Sequence, residues 1–170
     1  MPLFSTRDFR LQNGGQLPLL ELAYETYGRL SPNAGNAVLV CHGYTSSAHA
    51  ARNPGDEEPG WWENVVGPGR AIDTDRYFVV CSNMLGSSYG STGPASINPA
   101  TGKPYGPDFP EITLVDIVTA QQALLDHLGI RRLVAVAGLS YGGYQAFQWG
   151  MTFPGMMRGV VAVCSAPKGS

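Results

Sequence analysis

The stretch Leu133-Val134-Ala135-Val136-Ala137-Gly138-Leu139-Ser140-Tyr141-Gly142-Gly143 leaves this chain few folds to choose from. An unbroken run of small and branched apolar residues, Leu133 to Ala137, suits a strand covered on both faces. Gly138-x-Ser140-x-Gly142 then predicts a sharp turn, with a helix starting at Tyr141. In such an elbow the serine takes a strained backbone conformation that lifts its hydroxyl clear of the sheet. The flanking backbone comes so close that side chains two positions before and after would collide, and glycine removes them. The following helix points its free amides and the positive end of its dipole at the serine. Gly-x-Ser-x-Gly also occurs in ordinary glycine-rich turns. The strand before it and the helix after it mark Ser140 as a nucleophile, with Gly138, Gly142 and Gly143 as supports of the elbow.

A second chemical signal lies upstream. Ala37-Val38-Leu39-Val40-Cys41 reads as a fully buried strand, and it runs into His42-Gly43-Tyr44-Thr45-Ser46-Ser47. In serine acyl-transfer enzymes with a strand–elbow–helix nucleophile, the loop at this point donates one backbone amide to the oxyanion. The residue after the nucleophile donates the other. The two donors are thereby assigned to Tyr44 and Tyr141. His42 sits within that loop rather than at the position of a base, and is read as pinning the loop through its ring nitrogens.

Around these signals strands alternate with helices, which predicts a mostly parallel sheet. Phe9–Gln12 and Gln16–Tyr27, joined by Asn13-Gly14-Gly15, form a hairpin on its antiparallel edge, with Asn-Gly supplying the positive-φ positions. The alternation along Leu20–Tyr27 predicts one exposed face for that hairpin. Tyr77–Cys81 and Gly159–Cys164 are further apolar strands. Thr113–Leu128 carries one apolar face, a capping box from Thr113 and Asp116, and Gly129 at its end, with His127 on the surface. Trp61–Val66 reads as a short helix whose tryptophans join the core. The acids of Asn53–Gly60 read as a solvated face, and Asp73-Thr74-Asp75 reads as a turn rather than a carboxylate pair. Ser82–Glu111 is long and rich in Gly, Ser, Pro and Asn. Such loops are commonly functional, and this one is expected to wall the active site, held down by Tyr89, Tyr105 and Phe109.

Composition excludes several classes. A net charge of −2 over 170 residues, without basic runs, gives no footprint for nucleic acid. No segment has the apolar length to span a membrane, and Met1–Arg7 lacks the apolar middle of a secretory signal. Cys41, Cys81 and Cys164 are odd in number and far apart. They are expected to be buried, reduced thiols of a cytoplasmic protein, not disulfides or metal ligands.

Longer runs carry a more specific resemblance. Gly67-Pro68-Gly69-Arg70-Ala71-Ile72-Asp73-Thr74-Asp75-Arg76-Tyr77-Phe78-Val79-Val80-Cys81-Ser82-Asn83 resembles the homoserine O-acetyltransferase family. So does Gly90-Ser91-Thr92-Gly93-Pro94-Ala95-Ser96-Ile97-Asn98-Pro99, continued by Thr101–Gly106, and the likeness extends from about Tyr24 to Trp149. The resemblance implies the α/β-hydrolase fold and a ping-pong transfer of acetyl from acetyl-CoA, a co-substrate rather than a resident cofactor, to a small alcohol through an acyl-serine. It places Ser140 at the nucleophile and Tyr44 and Tyr141 at the oxyanion positions. It also implies amino-acid biosynthesis and a possible homodimer. The elbow departs from the family's usual Gly-Gly-Ser-Met-Gly-Gly, because Leu139 and Tyr141 flank the serine and can reshape the acyl or alcohol pocket.

The triad of this fold runs Ser, Asp or Glu, then His. Tyr141 to Ser170 contains no Asp, Glu or His. Residues 1–170 are therefore expected to form the N-terminal part of one α/β-hydrolase domain, without its C-terminal strands and cap. A C-terminal fragment would bring the acid and the histidine. Three functions stay open: an acyltransferase, an esterase that resolves the same acyl-enzyme with water, and a non-catalytic binding module.

Overall fold

The computed structural model describes residues 1–167 and places six strands in one twisted sheet. These are β1 (Leu3–Arg10), β2 (Gln16–Tyr27), β3 (Ala37–Cys41), β4 (Phe78–Ser82), β5 (Ala135–Leu139) and β6 (Val160–Val163). Their spatial order is β1-β2-β4-β3-β5-β6. The β4–β3, β3–β5 and β5–β6 pairs are parallel, and β1–β2 and β2–β4 are antiparallel. The expected mostly parallel sheet with an antiparallel N-terminal hairpin is what the chain forms.

β3 shows why the centre of the sheet is apolar in every position. Ala37, Leu39 and Cys41 face one cluster, and Val38 and Val40 face another, with all five residues buried. The first cluster is closed by helices α1 (Leu114–His127) and α2 (Tyr141–Thr152), through Leu124, Leu125 and Trp149. The second lies under the segment that carries Ala50, Ala51, Trp61, Trp62 and Val66. The capping box of α1 forms as expected: Thr113 Oγ1 accepts from the Asp116 amide, and the Asp116 carboxylate accepts from the Thr113 amide. Asp116 is buried because it also accepts the Gln12 amide at 2.6 Å, which ties the hairpin to the helix start.

Several local expectations differ from the structure. β1 begins at Leu3, not Phe9. In the turn only Gly14 has positive φ, at 85°, because the Leu11–Gly15 amide pairing closes a longer loop than a two-residue Asn-Gly turn. The outer face of β2 is not open. Gly90 of the long loop lies against Ala23, where a Cβ on Gly90 would be 3.3 Å from that of Ala23, and the Ala48–Ala50 segment bonds the Tyr27 hydroxyl, so Ala23 and Tyr27 are buried. In the plane of the sheet Ser91 Oγ and Thr92 Oγ1 accept the amides of Ala23 and Glu21. Trp61–Val65 forms turns, with the amides of Val65 and Val66 both on the Trp62 carbonyl, and the two indoles stack at 5.2 Å against the second cluster. Asp73 does serve a turn: its Oδ1 accepts the amides of Gly69 and Asp75, and these two bonds hold its carboxyl below the usual range. Tyr105 and Phe109 pack the long loop down edge to face, but Tyr89 is exposed. Cys41 and Cys81 are buried, whereas Cys164 is exposed, because it follows the last strand at the open edge of the sheet.

Candidate active site

Ser140 stands between the end of β5 and the first residue of α2, with φ 55° and ψ −118°. A serine at positive φ costs of order 1–3 kcal/mol, so the surroundings must hold it there. They do so from three sides. The Ser140 amide donates to the Val163 carbonyl of β6 at 2.9 Å, and its carbonyl accepts the Gly143 amide at 2.9 Å. A Cβ on Gly138 would lie 2.7 Å from the Gly143 nitrogen and closer still to the Gly142 carbonyl. One on Gly142 would lie 2.6 Å from the Cys41 carbonyl carbon and 3.0 Å from the His42 oxygen. One on Gly143 would run into the Ser165 side chain. The three elbow glycines therefore sit where close backbone packing excludes a side chain. Ser140 itself is exposed.

The same packing brings the second loop to the serine. A Cβ on Gly43 would be 3.7 Å from that of Ser140, an ordinary contact distance, so the chain entering Tyr44 runs alongside the nucleophile position. Tyr141 follows Ser140 directly as the first residue of α2. The structure thus gathers Ser140, Tyr44, Tyr141, Gly138, Gly142 and Gly143 into one place. The Tyr44 and Tyr141 rings meet edge to face at 5.8 Å, and Tyr144 lies 6.0 Å beyond Tyr141. Burial, and the neighbouring Tyr44, push the Tyr141 phenol up.

His42 has the pinning role expected of it. It is fully buried, with Nδ1 2.7 Å from the Gly43 carbonyl, and Nε2 accepts the Met84 amide at 2.9 Å. An Nε2 that accepts leaves the proton on Nδ1, so the ring is neutral and joins the Tyr44 loop to the loop after β4. Burial keeps its pKa low, against the opposing hydrogen bond to Gly43. Beneath it runs a buried polar chain. Trp149 Nε1 donates to Gln121 Oε1 at 2.7 Å, Gln121 Nε2 donates to Gln145 Oε1 at 2.7 Å, and Gln145 Nε2 donates to the His42 carbonyl at 3.2 Å. The sequence carried one signal for this chain: Gln121 falls at helical spacing between Ile117, Val118, Leu124 and Leu125 on the apolar face of α1.

A second cluster escaped the sequence reading, because its members are far apart in the chain. His49 Nδ1 lies 3.0 Å from Glu25 Oε2, Nε2 lies 3.1 Å from the Glu58 carbonyl, and Asp56 is 4.0 Å away. Both ring nitrogens face pure acceptors, an arrangement that the doubly protonated imidazolium satisfies best. Burial alone would lower its pKa. The Glu58 carbonyl and the Glu25 and Asp56 carboxylates outweigh burial and raise it. Glu25, His49 and Asp56 have the donor types of a cation site, but the ring nitrogens are already committed to hydrogen bonds. The acidic loop is therefore not only a solvated face.

Among the described residues no histidine is free to serve Ser140 as a base. His42 and His49 are engaged as above, and His127 is exposed at the end of α1 against the Phe4 ring. No helix among them is long and apolar enough to cross a membrane.

The strained serine, the glycine-packed elbow and the adjoining His-Gly-Tyr loop, on a sheet of this strand order, agree with a family comparison: residues 36–170 match the family model described as the alpha/beta hydrolase fold. The chain belongs to that family. It is also similar to the homoserine O-acetyltransferase of Moorella thermoacetica, with 57% identity over 157 residues, 91% of this chain and 42% of that protein. A homoserine O-succinyltransferase of Halorhodospira halophila is 53% identical over 157 residues, 91% of this chain and 41% of that protein. The crystal structure of esterase E22 superposes with a TM-score of 0.87 at 40% identity, covering 95% of this chain and 47% of that one. The chain thus spans less than half the length of these proteins. The resemblance seen in the sequence holds, and this alpha/beta hydrolase has both transferases and an esterase among its relatives.

Proposed function

We propose that the chain supplies the nucleophile and oxyanion half of an acyltransferase that moves an acetyl group from acetyl-CoA to the hydroxyl of homoserine or a similar small alcohol. The observation that carries this is Ser140, exposed at positive φ beside the Gly43–Tyr44 loop. In the first half-reaction the Ser140 Oγ attacks the thioester carbonyl and passes its proton to a histidine. The carbonyl oxygen gathers charge against the Tyr44 and Tyr141 amides, the C–S bond breaks, and the histidine proton leaves with the CoA thiolate. In the second half the alcohol repeats the attack on the acyl carbon, and Ser140 takes its proton back.

The histidine and its acid come, in this reading, from a C-terminal polypeptide that completes the sheet. Two features support it. Val160, Val161 and Val163 of the edge strand are exposed, and an apolar groove of about 490 Å³ opens beside them, lined by Val38, Trp62, Val65, Tyr77 and Val134. Water-exposed valines on an unpaired edge are an aggregation hazard unless covered. The esterase reading is the second, and esterase E22 is what favours it.

The test is direct. The complete enzyme, mixed with acetyl-CoA, should carry an acetyl group on Ser140 by peptide mass spectrometry. CoA release should accelerate steeply on adding homoserine, and Ser140→Ala should lower turnover by roughly four decades or more. Residues 1–170 purified alone should be inactive. Label on another residue, or full activity of Ser140→Ala, overturns the nucleophile. Ester hydrolysis that no alcohol accelerates selects the esterase.

A further inference from the structure

We propose that the Tyr44 and Tyr141 rings form the acyl-selecting wall of the site and admit a short, uncharged acyl group. The inference rests on the acyl-Ser140 reading above and adds to it the class of acyl group.

Position comes first. Tyr141 follows Ser140 directly and Tyr44 follows Gly43, whose Cβ would lie 3.7 Å from that of Ser140, so in the acyl-Ser140 reading both rings stand beside the acyl carbon. They touch each other edge to face at 5.8 Å, and Tyr144 extends the aromatic row at 6.0 Å. An acyl group whose oxygen points at those amides meets this row with its tail. Acetyl ends before it, whereas a longer chain must pass it.

The second observation is what lies beyond. A cavity of about 320 Å³ is lined by Tyr44, Met84, Ser88 and Tyr89, among others, but not by Ser140 or Tyr141. Tyr44 therefore borders that space on one side and meets Tyr141, the neighbour of Ser140, on the other. Tyr44 is 75% exposed, and its ring leans on Tyr141. So large an exposed aromatic surface, next to a reactive serine, is poised to be covered by substrate.

The third is charge. The segments around the serine, residues 42–51, 82–102 and 139–149, contain no lysine or arginine. A succinyl tail would bring a carboxylate against aromatic faces and find no cation among them, which disfavours it relative to acetyl.

The experiment uses the complete enzyme and its Tyr44→Ala, Tyr44→Phe and Tyr141→Ala variants. p-Nitrophenyl acetate, butyrate and octanoate serve as donors, alongside acetyl-CoA and succinyl-CoA. The readouts are the rate of the first-turnover burst and the mass of acyl-Ser140. The unsubstituted enzyme should favour acetyl over octanoyl and over succinyl. Tyr44→Ala should raise the octanoate-to-acetate rate ratio by roughly tenfold or more, the scale on which a pocket reads a change of chain size. Tyr141→Ala, which keeps the backbone amide, should move the ratio in the same direction. Tyr44→Phe should leave it unchanged, because the ring and not the hydroxyl forms the wall. Ratios unmoved in both alanine variants overturn the proposal, as does a change confined to the choice of alcohol. If no donor acylates Ser140 in the unsubstituted enzyme, the acyl-enzyme reading itself has failed, and this proposal falls with it.

Discussion

Gly142→Ala isolates the contact that holds the two halves of the candidate site together. Gly142 lies in the first turn of α2, where alanine is favoured over glycine by about 1 kcal/mol in an exposed helix. Helix propensity alone therefore predicts stabilisation. The structure predicts the opposite. The new Cβ would sit 2.6 Å from the Cys41 carbonyl carbon, closer still to the Cys41 oxygen and 3.0 Å from the His42 oxygen, while comfortable contact needs roughly 3.5 Å or more. Relief requires the elbow and the end of β3 to part by at least about 1 Å, and all three atoms met are backbone, with no rotamer to yield. Overpacking against a rigid wall costs about 3 kcal/mol or more. The net loss is then at least about 2 kcal/mol after the propensity gain, a fall in Tm of roughly 4–8 °C for a chain of this size. The same displacement pulls the Tyr44 amide away from Ser140, and about 1 Å of misplacement costs on the order of a hundredfold in rate. Gly155→Ala is the control. It has no atom within 4 Å of the new Cβ, and its stability should stay within about 0.5 kcal/mol of the parent. Calorimetry of residues 1–170 and the Ser140 acylation burst of the complete enzyme measure the two effects. A Gly142→Ala protein that melts with the Gly155→Ala control and acylates at the parent's rate would refute the close packing of elbow against loop.

Two further outcomes follow from the titratable groups. The folded-state pKa of His49 is raised, so its contribution to stability is complete below the unfolded value near 6.5 and is lost as pH rises through the folded value. The Tm difference between the parent and His49→Gln should shrink from pH 5.5 to 8.5, and a difference that grows with pH would contradict the imidazolium. His42 works with the opposite sign: its lowered folded pKa makes the fold less stable as pH falls below about 6.5, which separates the two histidines in the same titration. Burial pushes the Cys41 thiol up to about 12, against a weak hydrogen bond to Gln121, and burial also raises Cys81 far above the usual thiol value. A disulfide-exchange reagent at pH 8 should therefore modify Cys164 rapidly and the other two only on unfolding, and two fast thiols in the folded protein would be the contrary result.

How much of this was legible in the sequence depends on how far apart the interacting residues are. The elbow was legible because its motif is short: glycines two residues before and after Ser140 mark the strand–turn–helix, although the atoms that exclude a side chain at Gly142 belong to Cys41 and His42. The α1 cap was legible for the same reason, since Thr113 and Asp116 lie one turn apart. The apolar run of β3 announced burial on both faces, and the lack of Asp, Glu and His between Tyr141 and Ser170 could be seen by counting. None of these needed a partner from elsewhere in the chain to be recognised.

Tertiary structure alone decided what depends on partners many residues away. Whether the outer face of β2 met water turned on Gly90, which lies against Ala23, and on the Ala48–Ala50 segment, which bonds the Tyr27 hydroxyl. The protonation of His49 was set by Glu25 on a strand and Glu58 on a loop, which no spacing rule connects. The exposure of Cys164 and the burial of Cys41 and Cys81 came from strand order, because the same apolar pattern ends in a thiol at the sheet's centre and at its edge. Tyr44 and Tyr141 could be assigned as amide donors from motif alone. That their rings meet beside Ser140 follows from the packing of Gly142 against the end of β3, which draws together two turns nearly a hundred residues apart. Local sterics are written in short stretches of sequence, whereas the environment of a side chain is written only in the fold that surrounds it.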